Sequence, residues 1–300
     1  MSLDIFVPFW GEPTLLRETV RSVLAQTNGD WRLTVVDDAY PDDSVPPFFA
    51  ALDDQRVTYV RNATNRGITE NYRTCVALAT QDLVTILGCD DVLLPGYVEV
   101  VLNAHRRFPD AAIIQPGVRV IDGRGTVVST LADTVKQRLM MPAAKEPRLL
   151  AGESLAAGLL RADWLYWPSL AFRREVLTAT PFRDGMPIIQ DLAFVIDVVT
   201  AGGSLLLVPT VCFHYRRHAA SASSAKAIDG TRFRGERAYF HLAAAQVRAR
   251  GWHRAERAAQ WHLTSRLHAI TLVAGALRAR NPEAVRILLG HAFRPGTAAR

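Results

Sequence analysis

The first 115 residues alternate between short apolar runs of strand length and stretches with the spacing of a helix. The apolar runs are continuous, as expected of strands that are covered on both faces of a sheet. In chain order they are DIFVPF, RLTVVDD, VTYVRN and DLVTIL, with helical patterns from about Pro13 to Ala25 and near residues 68–80. This alternation predicts an α/β fold with a Rossmann-like, mixed and mainly parallel sheet flanked by helices.

The pattern changes in the second part of the chain. Two short strand-like runs, AIIQP and RVIDGRGTVV, precede a helical pattern near residues 152–160 and a helix that begins near Asp191. The end of the chain is helical in pattern. We therefore expect one α/β domain built from residues 1–115 and 116–223, followed by a basic helical extension at 224–300.

Length and composition exclude several classes of protein. With 300 residues, 49% of them hydrophobic, the chain can bury a large core. No stretch approaches the roughly 18 consecutive apolar residues of a membrane span, and MSLDIFVPF lacks the basic flank of a signal peptide. We expect a cytoplasmic protein. The three cysteines, an odd number without CxxC spacing, predict core thiols rather than a disulfide framework or a zinc site.

The net charge of +6 is unevenly distributed. Residues 231–300 hold 13 Arg, no Lys and 3 Glu, a balance of +10, which leaves −4 for residues 1–230. Such a tail can bind anionic lipid or a phosphorylated acceptor, or be a solvated helix face. It lacks the interleaved aromatic residues of nucleic-acid modules, so we expect no nucleic-acid partner. An apolar stripe that can dock on the body, a partner or a membrane is formed by Leu263, Leu267, Ile270, Ala274 and Leu277.

Acidic pairs follow two of the predicted strands. Asp37 and Asp38 end the second strand, and Asp90 and Asp91 follow the run LVTIL after Gly88. The carboxyl ends of parallel strands meet at one edge of a sheet, so both pairs should face that edge. A carboxylate there accepts hydrogen bonds from a nucleobase or a ribose, whereas a carboxylate beside a diphosphate needs a metal to bridge the charges. A solvated Asp-Asp turn is the alternative.

Two predicted helix starts carry polar groups. NATNRGITEN, residues 62–71, places Gly67 and Asn71 at a helix start, where free backbone N–H groups favour anions; ordinary turn chemistry is the alternative. In PIIQDLAFVIDVV, Asp191 begins a helix whose macrodipole favours the ionised carboxylate. Asp191 can act as a general base or simply as an N-cap.

The order of these motifs resembles that of the inverting family 2 glycosyltransferases of the GT-A fold. The resemblance covers roughly residues 3–223 and rests on VPFWGEP, VVDDAYPDD, NATNRG, LGCDDVLLP, a later QD that opens a helix, and YRRHAASAS. It implies transfer of a sugar from a nucleotide-diphospho-sugar donor to an acceptor hydroxyl. A divalent metal, Mn²⁺ or Mg²⁺, would assist that transfer.

On the donor side, the resemblance implies that Pro8 and Trp10 line the base pocket and that Asp38 holds the base or ribose. Gly67 and Asn71 belong to the same nucleotide-binding group. Asp90 occupies the last position of the family's Asp-x-Asp motif and would bind the metal.

The first position of that motif is Gly88, so Asp91 would support Asp90. His218 matches a family position near the diphosphate and would be a metal or phosphate ligand. His214 and His218 are four residues apart like zinc ligands, but HYRRH lacks the glutamate of HExxH, and a structural histidine is the alternative.

On the acceptor side, Asp191 matches the acidic position of the family's Glu-Asp signature, with Gln190 in place of the Glu, and would be the catalytic base. Trp164 and Trp167 would bind the acceptor through their aromatic faces, with core packing as the alternative. We expect a saccharide or lipid-linked acceptor in bacterial polysaccharide or glycolipid assembly, with peripheral contact of the Arg-rich helices at the inner face of the membrane.

Other functions fit less well. A dinucleotide dehydrogenase needs GxGxxG after the first strand, and a nucleotidyltransferase needs a Gly-rich loop with a basic residue there; FVPFWGEP has neither. A catalytically degenerate scaffold that binds nucleotide sugars is the remaining alternative, because Gly88 and Gln190 replace two acidic residues of the family pattern.

Overall fold

The computed structural model of the chain describes residues 1–129, 131–186, 188–217 and 231–293. Within these ranges a nine-stranded mixed sheet forms the centre, with strand order β3-β2-β1-β4-β8-β6-β9-β5 and with β7 paired to β9. The strands are β1 Leu3–Phe9, β2 Trp31–Asp37, β3 Val57–Arg61, β4 Leu83–Ile86, β5 Val92–Leu93, β6 Ile113–Ile121, β7 Arg148–Ala151, β8 Ala171–Arg173 and β9 Ser204–Arg216.

Helices surround the sheet and continue beyond it. In chain order they are α1 Pro13–Leu24, α2 Val45–Ala50, α3 Ile68–Leu78, α4 Tyr97–Arg107, α5 Leu131–Val135, α6 Gly152–Arg161, α7 Arg174–Ala179, α8 Gln190–Thr200, α9 Thr231–Ala249, α10 His253–Trp261, α11 Leu263–Arg278 and α12 Pro282–Phe293. A π-helical turn, Lys136–Met140, follows α5, and a 3₁₀ turn, Trp167–Ser169, precedes β8.

The first four strands are parallel, and β1, β2 and β4 are largely enclosed, as their continuous apolar runs predict, whereas β3 lies at the edge of the sheet and is partly exposed. β1 lies between β2 and β4, and β2 continues to β3. Pro13 occupies the first turn of α1, where its missing N–H costs nothing. The predicted helix at 68–80 ends earlier, at Leu78, because Ala79 has an extended backbone conformation.

The strand order reverses between β1 and β4. From β1 the chain moves outward in one direction through β2 and β3, and then returns to place β4 on the other side of β1. At such a reversal the loops after the two central strands separate and leave a crevice at the carboxyl ends of the strands. The segments after β1, β2 and β4 therefore meet at one edge of the sheet.

The second half of the sheet is mixed. β8 is antiparallel to both β4 and β6, and β6 is parallel to β9. The expected pair of short strands around residue 116 is instead the single strand β6, with register shifts between Gln115 and Val118. Gly117 permits this path, because a Cβ there would lie 2.7 Å from the Pro209 carbonyl oxygen of β9. The boundary expected at 115/116 thus falls inside a strand.

The C-terminal helices join the body in two steps. α9 and α10 contribute Tyr239, Val247 and Ala259 to the large core that α6 and α8 also line. α11 and α12 pack against each other around a separate small cluster that includes Phe233 and Leu288. None of the helices in the described ranges is both long enough and apolar enough to cross a membrane.

Aromatic side chains dominate the core beneath the second half of the sheet. Trp167 packs on Phe172, Phe182 and Phe194 with ring centroids 5.1 to 6.0 Å apart, and Phe182 stacks on Phe194 at 4.8 Å. Phe194 is 1% exposed. These rings hold α8 against the sheet, which fixes the position of the helix that begins at Gln190.

Phe194→Ala is expected to lower the free energy of unfolding by about 3–5 kcal/mol, because it removes a fully enclosed ring and leaves a cavity. Phe293→Ala is the matched control, since the Phe293 side chain is 68% exposed. The control should change the free energy by less than about 0.5 kcal/mol. Urea unfolding of both variants checks this; equal midpoints would contradict the packing described for Phe194.

Candidate active site

Three adjacent strand ends form the candidate site. Trp10 follows β1, Asp38 follows β2, and the turn of residues 87–91 follows β4. Backbone hydrogen bonds fix these segments to one another: Asp38 N–H donates to the Phe9 carbonyl at 3.0 Å, and Leu87 N–H donates to the Phe6 carbonyl at 2.8 Å. The two acidic pairs therefore share one edge of the sheet, as the sequence predicts.

Asp38 organises the loop before α3. Its carboxylate accepts hydrogen bonds from the Asn62 side chain at 2.8 Å and from the N–H groups of Arg66 and Gly67 at 2.9 and 2.8 Å. The side chain is 2% exposed. Gly67 has φ +82°, a conformation that favours glycine. The backbone donors of this loop are thus used by Asp38, which corrects the expectation of free N–H groups for an anion.

Asn71 differs from the expected donor-binding role. It is 2% exposed, its amide donates to the Val36 carbonyl at 2.9 Å, and its oxygen accepts from the Asn62 amide at 3.3 Å. A buried side chain with both polar ends paired cannot contact a ligand directly. Asn71 therefore anchors α3 to β2, and its effect on the pocket is indirect.

An exposed aromatic surface lies beside Asp38. The Trp10 side chain is 51% exposed and meets the ring of Tyr40 edge-on, with centroids 5.2 Å apart. Tyr40 also packs on Phe9 at 5.1 Å, which fixes its orientation. Pro8 is half-buried in β1. A flat apolar surface next to a hydrogen-bonding loop is suited to a planar heterocycle.

The turn after β4 has one buried and one accessible carboxylate. Asp91 is 1% exposed and accepts the Arg216 N–H at 2.8 Å, whereas Asp90 is partly exposed. Burial, and then the negative charge of Asp90, raises the pKa of Asp91 well above its ordinary value. A Cβ at Gly88 would overlap the Asp91 carboxylate, so glycine at 88 and this position of Asp91 require each other.

Arg216 holds this turn in place from the end of β9. Its guanidinium donates to the Asp90 carbonyl at 2.6 Å, to the Gly123 carbonyl at 3.2 Å and to the Glu18 carboxylate at 2.6 Å. The side chain is 2% exposed. One planar group thus joins β9, the 122–123 turn, α1 and the acidic turn, a use of several donors that lysine cannot reproduce.

Asp191 begins α8, as predicted, and its environment changes its acidity. Loss of water contact raises the pKa of Asp191 to about 7, and the negative charge of Asp163 adds to the rise. The Leu192 N–H, which donates to Asp191 at 2.8 Å, and then Lys136 partly oppose it. A carboxylate with a pKa near neutrality can take up and release a proton at ordinary pH.

Gln190 has a structural reason to be an amide. It is 4% exposed, and its side-chain oxygen accepts the Thr69 hydroxyl at 3.0 Å. Thr69 lies in the first turn of α3, so this hydrogen bond connects the donor-side helix to the start of α8. A neutral amide can be buried here without the desolvation cost of a carboxylate.

The pKa of Tyr215 is affected by carboxylates of both the acidic turn and α8. Burial is the main cause that raises the pKa of Tyr215, and the charges of Asp91, Asp90 and Asp191 all add to it. Its ring packs on Tyr166 with centroids 5.3 Å apart. The acidic turn and the start of α8 thus both lie within electrostatic range of the Tyr215 hydroxyl.

Lys136 is a further charged group whose charge affects the pKa of Asp191. Its ammonium donates to the Leu165 carbonyl at 2.5 Å and lies 4.1 Å from the centre of the Tyr166 ring. Burial lowers the pKa of Lys136. The sequence pattern gives no signal for Lys136, Asp163 or Tyr215, whereas the paired arginines of YRRH indicate the position of Arg216.

The two tryptophans expected to bind the acceptor lie in the core. Trp164 is 0% exposed and Trp167 is 6% exposed, the latter enclosed by the aromatic cluster beneath the sheet. Neither presents a face to a ligand, so the acceptor-binding expectation is corrected in favour of core packing. His218 lies outside the described residues.

The residues at the acidic turn fit a divalent cation only in part. The described ranges contain no group of three or more His, Cys, Asp or Glu side chains arranged to hold a metal. Mg²⁺, however, is commonly held by one or two carboxylates together with the phosphates of a substrate. Asp90, accessible and fixed by Arg216 through its carbonyl, fits such a site, which the diphosphate of a bound nucleotide would complete.

Arg216→Met is expected to lower the free energy of unfolding by about 2–4 kcal/mol, because it leaves buried carbonyl groups without their donor. Arg248→Met removes an exposed pair with Glu256, in which the Arg248 side chain is 46% exposed, and should cost less than about 1 kcal/mol. Urea unfolding compares the two. A loss no larger for Arg216 than for Arg248 would contradict the central role of this guanidinium.

Comparisons with known proteins give the fold and the family. A crystal structure of S. aureus TarS 1–349 in complex with UDP-GlcNAc is similar over 100% of this chain and 93% of that chain, with a TM-score of 0.64 and 13% identity. At this identity the likeness concerns the fold alone. It confirms the predicted GT-A type α/β fold with a helical C-terminal region.

Two curated relatives match the chain over shorter stretches. The Escherichia coli (strain K12) protein named "Putative colanic acid biosynthesis glycosyl transferase WcaA" is 29% identical over 106 residues, 35% of this chain and 38% of that protein. The Bacillus subtilis (strain 168) protein named "Putative glycosyltransferase EpsE" is 26% identical over 141 residues, 45% of this chain and 46% of that protein. Each match thus spans less than half of the relative's length.

The family model described as glycosyl transferase family 2 matches residues 4–158, more than half of the 300 residues. The match includes all three strand ends of the candidate site and the turn with Asp90 and Asp91. It ends before α8 and therefore does not reach Asp191. The chain belongs to glycosyl transferase family 2.

Proposed function

We propose that the protein is an inverting glycosyltransferase that moves a sugar, of the hexosyl type, from a nucleotide-diphospho-sugar to an acceptor hydroxyl. The observation that carries the proposal is the presence of two different carboxylate groups, Asp90 and Asp191, which both affect the pKa of Tyr215. Asp90 is an accessible carboxylate at the strand edge, and Asp191 is a carboxylate whose pKa is raised to about 7. The first suits the diphosphate side of the reaction and the second suits proton transfer.

The donor nucleotide would lie across the ends of β1 and β2. Trp10 and Tyr40 would provide aromatic contacts for the base, and Pro8 of β1 would line the same pocket. Asp38 and Gly67 shape this pocket through the loop that they hold together. The structure of TarS in complex with UDP-GlcNAc favours a uridine diphosphate sugar as the first donor to examine.

The leaving diphosphate would lie beside Asp90. A divalent cation there, Mn²⁺ or Mg²⁺, would neutralise the charge that develops on the leaving group. Asp90 would hold the cation, and Asp91 would keep the turn in shape through its hydrogen bond with the Arg216 N–H. His218 is the remaining candidate for this group from the sequence.

Asp191 would be the general base. The ionised carboxylate would take the proton of the acceptor hydroxyl while that oxygen attacks the anomeric carbon on the face opposite the diphosphate. This single displacement inverts the anomeric centre and forms no covalent sugar-enzyme intermediate. Asp163 raises and Lys136 lowers the pKa of Asp191, so these two neighbours would tune the base.

We further propose that residues 1–115 bind the donor, that residues 116–223 provide the base and the acceptor side, and that 224–300 form a peripheral extension. The name of the Escherichia coli relative, which refers to colanic acid biosynthesis, favours a saccharide or lipid-linked acceptor in polysaccharide or glycolipid assembly. A scaffold that binds nucleotide sugars without transfer is the second candidate, favoured by Gly88 in the place of a carboxylate.

Asp191→Asn is expected to lower kcat by about 10²–10⁴, the usual contribution of a general base, with donor binding retained. In the native protein, kcat/KM should rise with pH and level off above about 7, because only the ionised form of Asp191 accepts a proton. The assay measures release of the nucleoside diphosphate from a series of UDP-, GDP- and dTDP-sugars.

Asp110→Asn is the matched control and should leave the rate unchanged. Asp110 is exposed and lies just before the first residue of β6, at the end of that strand opposite to the candidate site. A native protein that binds a donor and neither transfers nor hydrolyses the sugar would favour the scaffold. A full rate in Asp191→Asn would exclude Asp191 as the base.

Asp90→Asn is expected to abolish the effect of Mn²⁺ on nucleotide binding. A nucleotide at about 100 times its Kd stabilises the native state by about 2.7 kcal/mol, which corresponds to a rise in Tm of about 5 °C for a chain of this size. Thermal unfolding with UDP, with and without Mn²⁺, should show the rise in the native protein only with the metal. An equal rise in Asp90→Asn would contradict the assignment.

A further inference from the structure

Helix α11 carries two separate apolar surfaces. One face packs into the small C-terminal cluster through Ala269 and Ala276, which are 0% and 2% exposed. The other face carries the apolar stripe, which the sequence left free to dock on the body, a partner or a membrane. In the structure the stripe is turned to solvent along its full length: it consists of Leu263, Leu267, Ile270, Ala274 and Leu277.

The exposure of the stripe is large for apolar side chains. Leu263 is 50% exposed, Leu267 52%, Ile270 41% and Leu277 60%. Trp261, two residues before the stripe, is 63% exposed. Single exposed apolar side chains are common on protein surfaces, whereas a contiguous exposed apolar row of this length indicates a surface that is covered in the working protein.

The charges around the stripe are almost all positive. From residue 257 to the end, the chain has seven Arg and a single acidic residue, Glu283. Arg257, Arg278 and Arg280 are exposed, and Arg266 is partly exposed within α11 itself. An apolar face bordered by cations is complementary to a surface that combines apolar chains with negative charge.

Other occupants fit this surface less well. A second copy docked through the same face would bring two sets of arginines together, and like charges at an interface oppose association. Residues 218–230 and 294–300, outside the described ranges, contain one large apolar side chain, Ile228, and so have little with which to cover the stripe.

We propose that the stripe of α11 docks on the surface of an anionic lipid bilayer, with the helix parallel to the membrane plane. The leucine and isoleucine side chains enter the boundary between headgroups and acyl chains, and the arginines contact lipid phosphates. This docking goes beyond the proposed sugar transfer. It is measured without donor or acceptor, so its result is separate from whether transfer occurs.

The test is co-sedimentation of the full chain with vesicles of phosphatidylcholine alone or with about one third phosphatidylglycerol. The native protein should bind the anionic vesicles at low salt and bind them less at high salt, because surface attraction is screened. Leu267→Asp should lower the vesicle partition constant at least about tenfold, since a charge in the stripe opposes insertion.

Leu242→Asp is the matched control. Leu242 lies on α9, is 46% exposed and is part of the same basic region, so the substitution changes the net charge equally without touching the stripe. It should change the partition constant less than about twofold. Unchanged thermal unfolding of both variants shows that they are folded.

Three outcomes would overturn the proposal. The first is no binding of the native protein to anionic vesicles at low salt, and the second is equal loss of binding in the two variants. The third is a concentration-dependent dimer, measured by light scattering, that Leu267→Asp abolishes, which would show that a second copy covers the stripe.

Discussion

The guanidinium of Arg216 connects the parts of the molecule on which the site depends. It is fixed at the end of β9, the longest strand of the described sheet, and it reaches the acidic turn after β4, the hairpin turn at 122–123 and helix α1. A buried cation is stabilising only when its donors are well paired, because its transfer from water is costly. Most partners of the Arg216 guanidinium are backbone carbonyl groups. The fold already fixes the positions of these oxygen atoms, and their hydrogen bonds offset the cost of burying the charge. The hydrogen bond to the Asp90 carbonyl then helps to fix the position from which the accessible Asp90 carboxylate projects.

Asp90 and Asp191, the two carboxylates to which we assign roles in the reaction, differ in how their surroundings affect their charge. Asp90 stays partly exposed at the mouth of the crevice, where water and an incoming ligand can reach it. Asp191 is also partly exposed, but loss of water contact together with the charge of Asp163 raises its pKa. An acid whose pKa is raised in the folded state binds protons more tightly there than in the unfolded chain. Its ionisation therefore opposes folding progressively as the pH rises from about 4 towards 7, a cost that the surrounding core must offset.

The sequence predicted those parts of the fold and site that depend on periodicity. Continuous apolar runs indicate enclosed parallel strands, and the position of a residue directly after such a run places Asp38, Asp90 and Asp91 at one edge. A polar residue at a helix start gives the same sequence pattern whether its side chain points to solvent or into the protein interior. For this reason Asn71, buried against Val36, was assigned wrongly as a ligand contact. The same ambiguity affects Trp164 and Trp167, because an aromatic segment can line a cleft or fill a core. Lys136 could not be found at all, since its position depends on how the π-helical turn meets Tyr166.

Gly88 has a consequence for how this chain can change over time. A side chain at position 88 would overlap the carboxylate of Asp91, and that carboxylate is the acceptor for the backbone N–H of Arg216. An aspartate at 88, the residue of the family pattern, is therefore incompatible with the present Asp91 conformation. The two positions are therefore coupled: a side chain at 88 requires the Asp91 carboxylate to move, and that movement would disturb its hydrogen bond with the Arg216 N–H. The acidic turn is thus held in its present form by the close packing of Gly88 against Asp91.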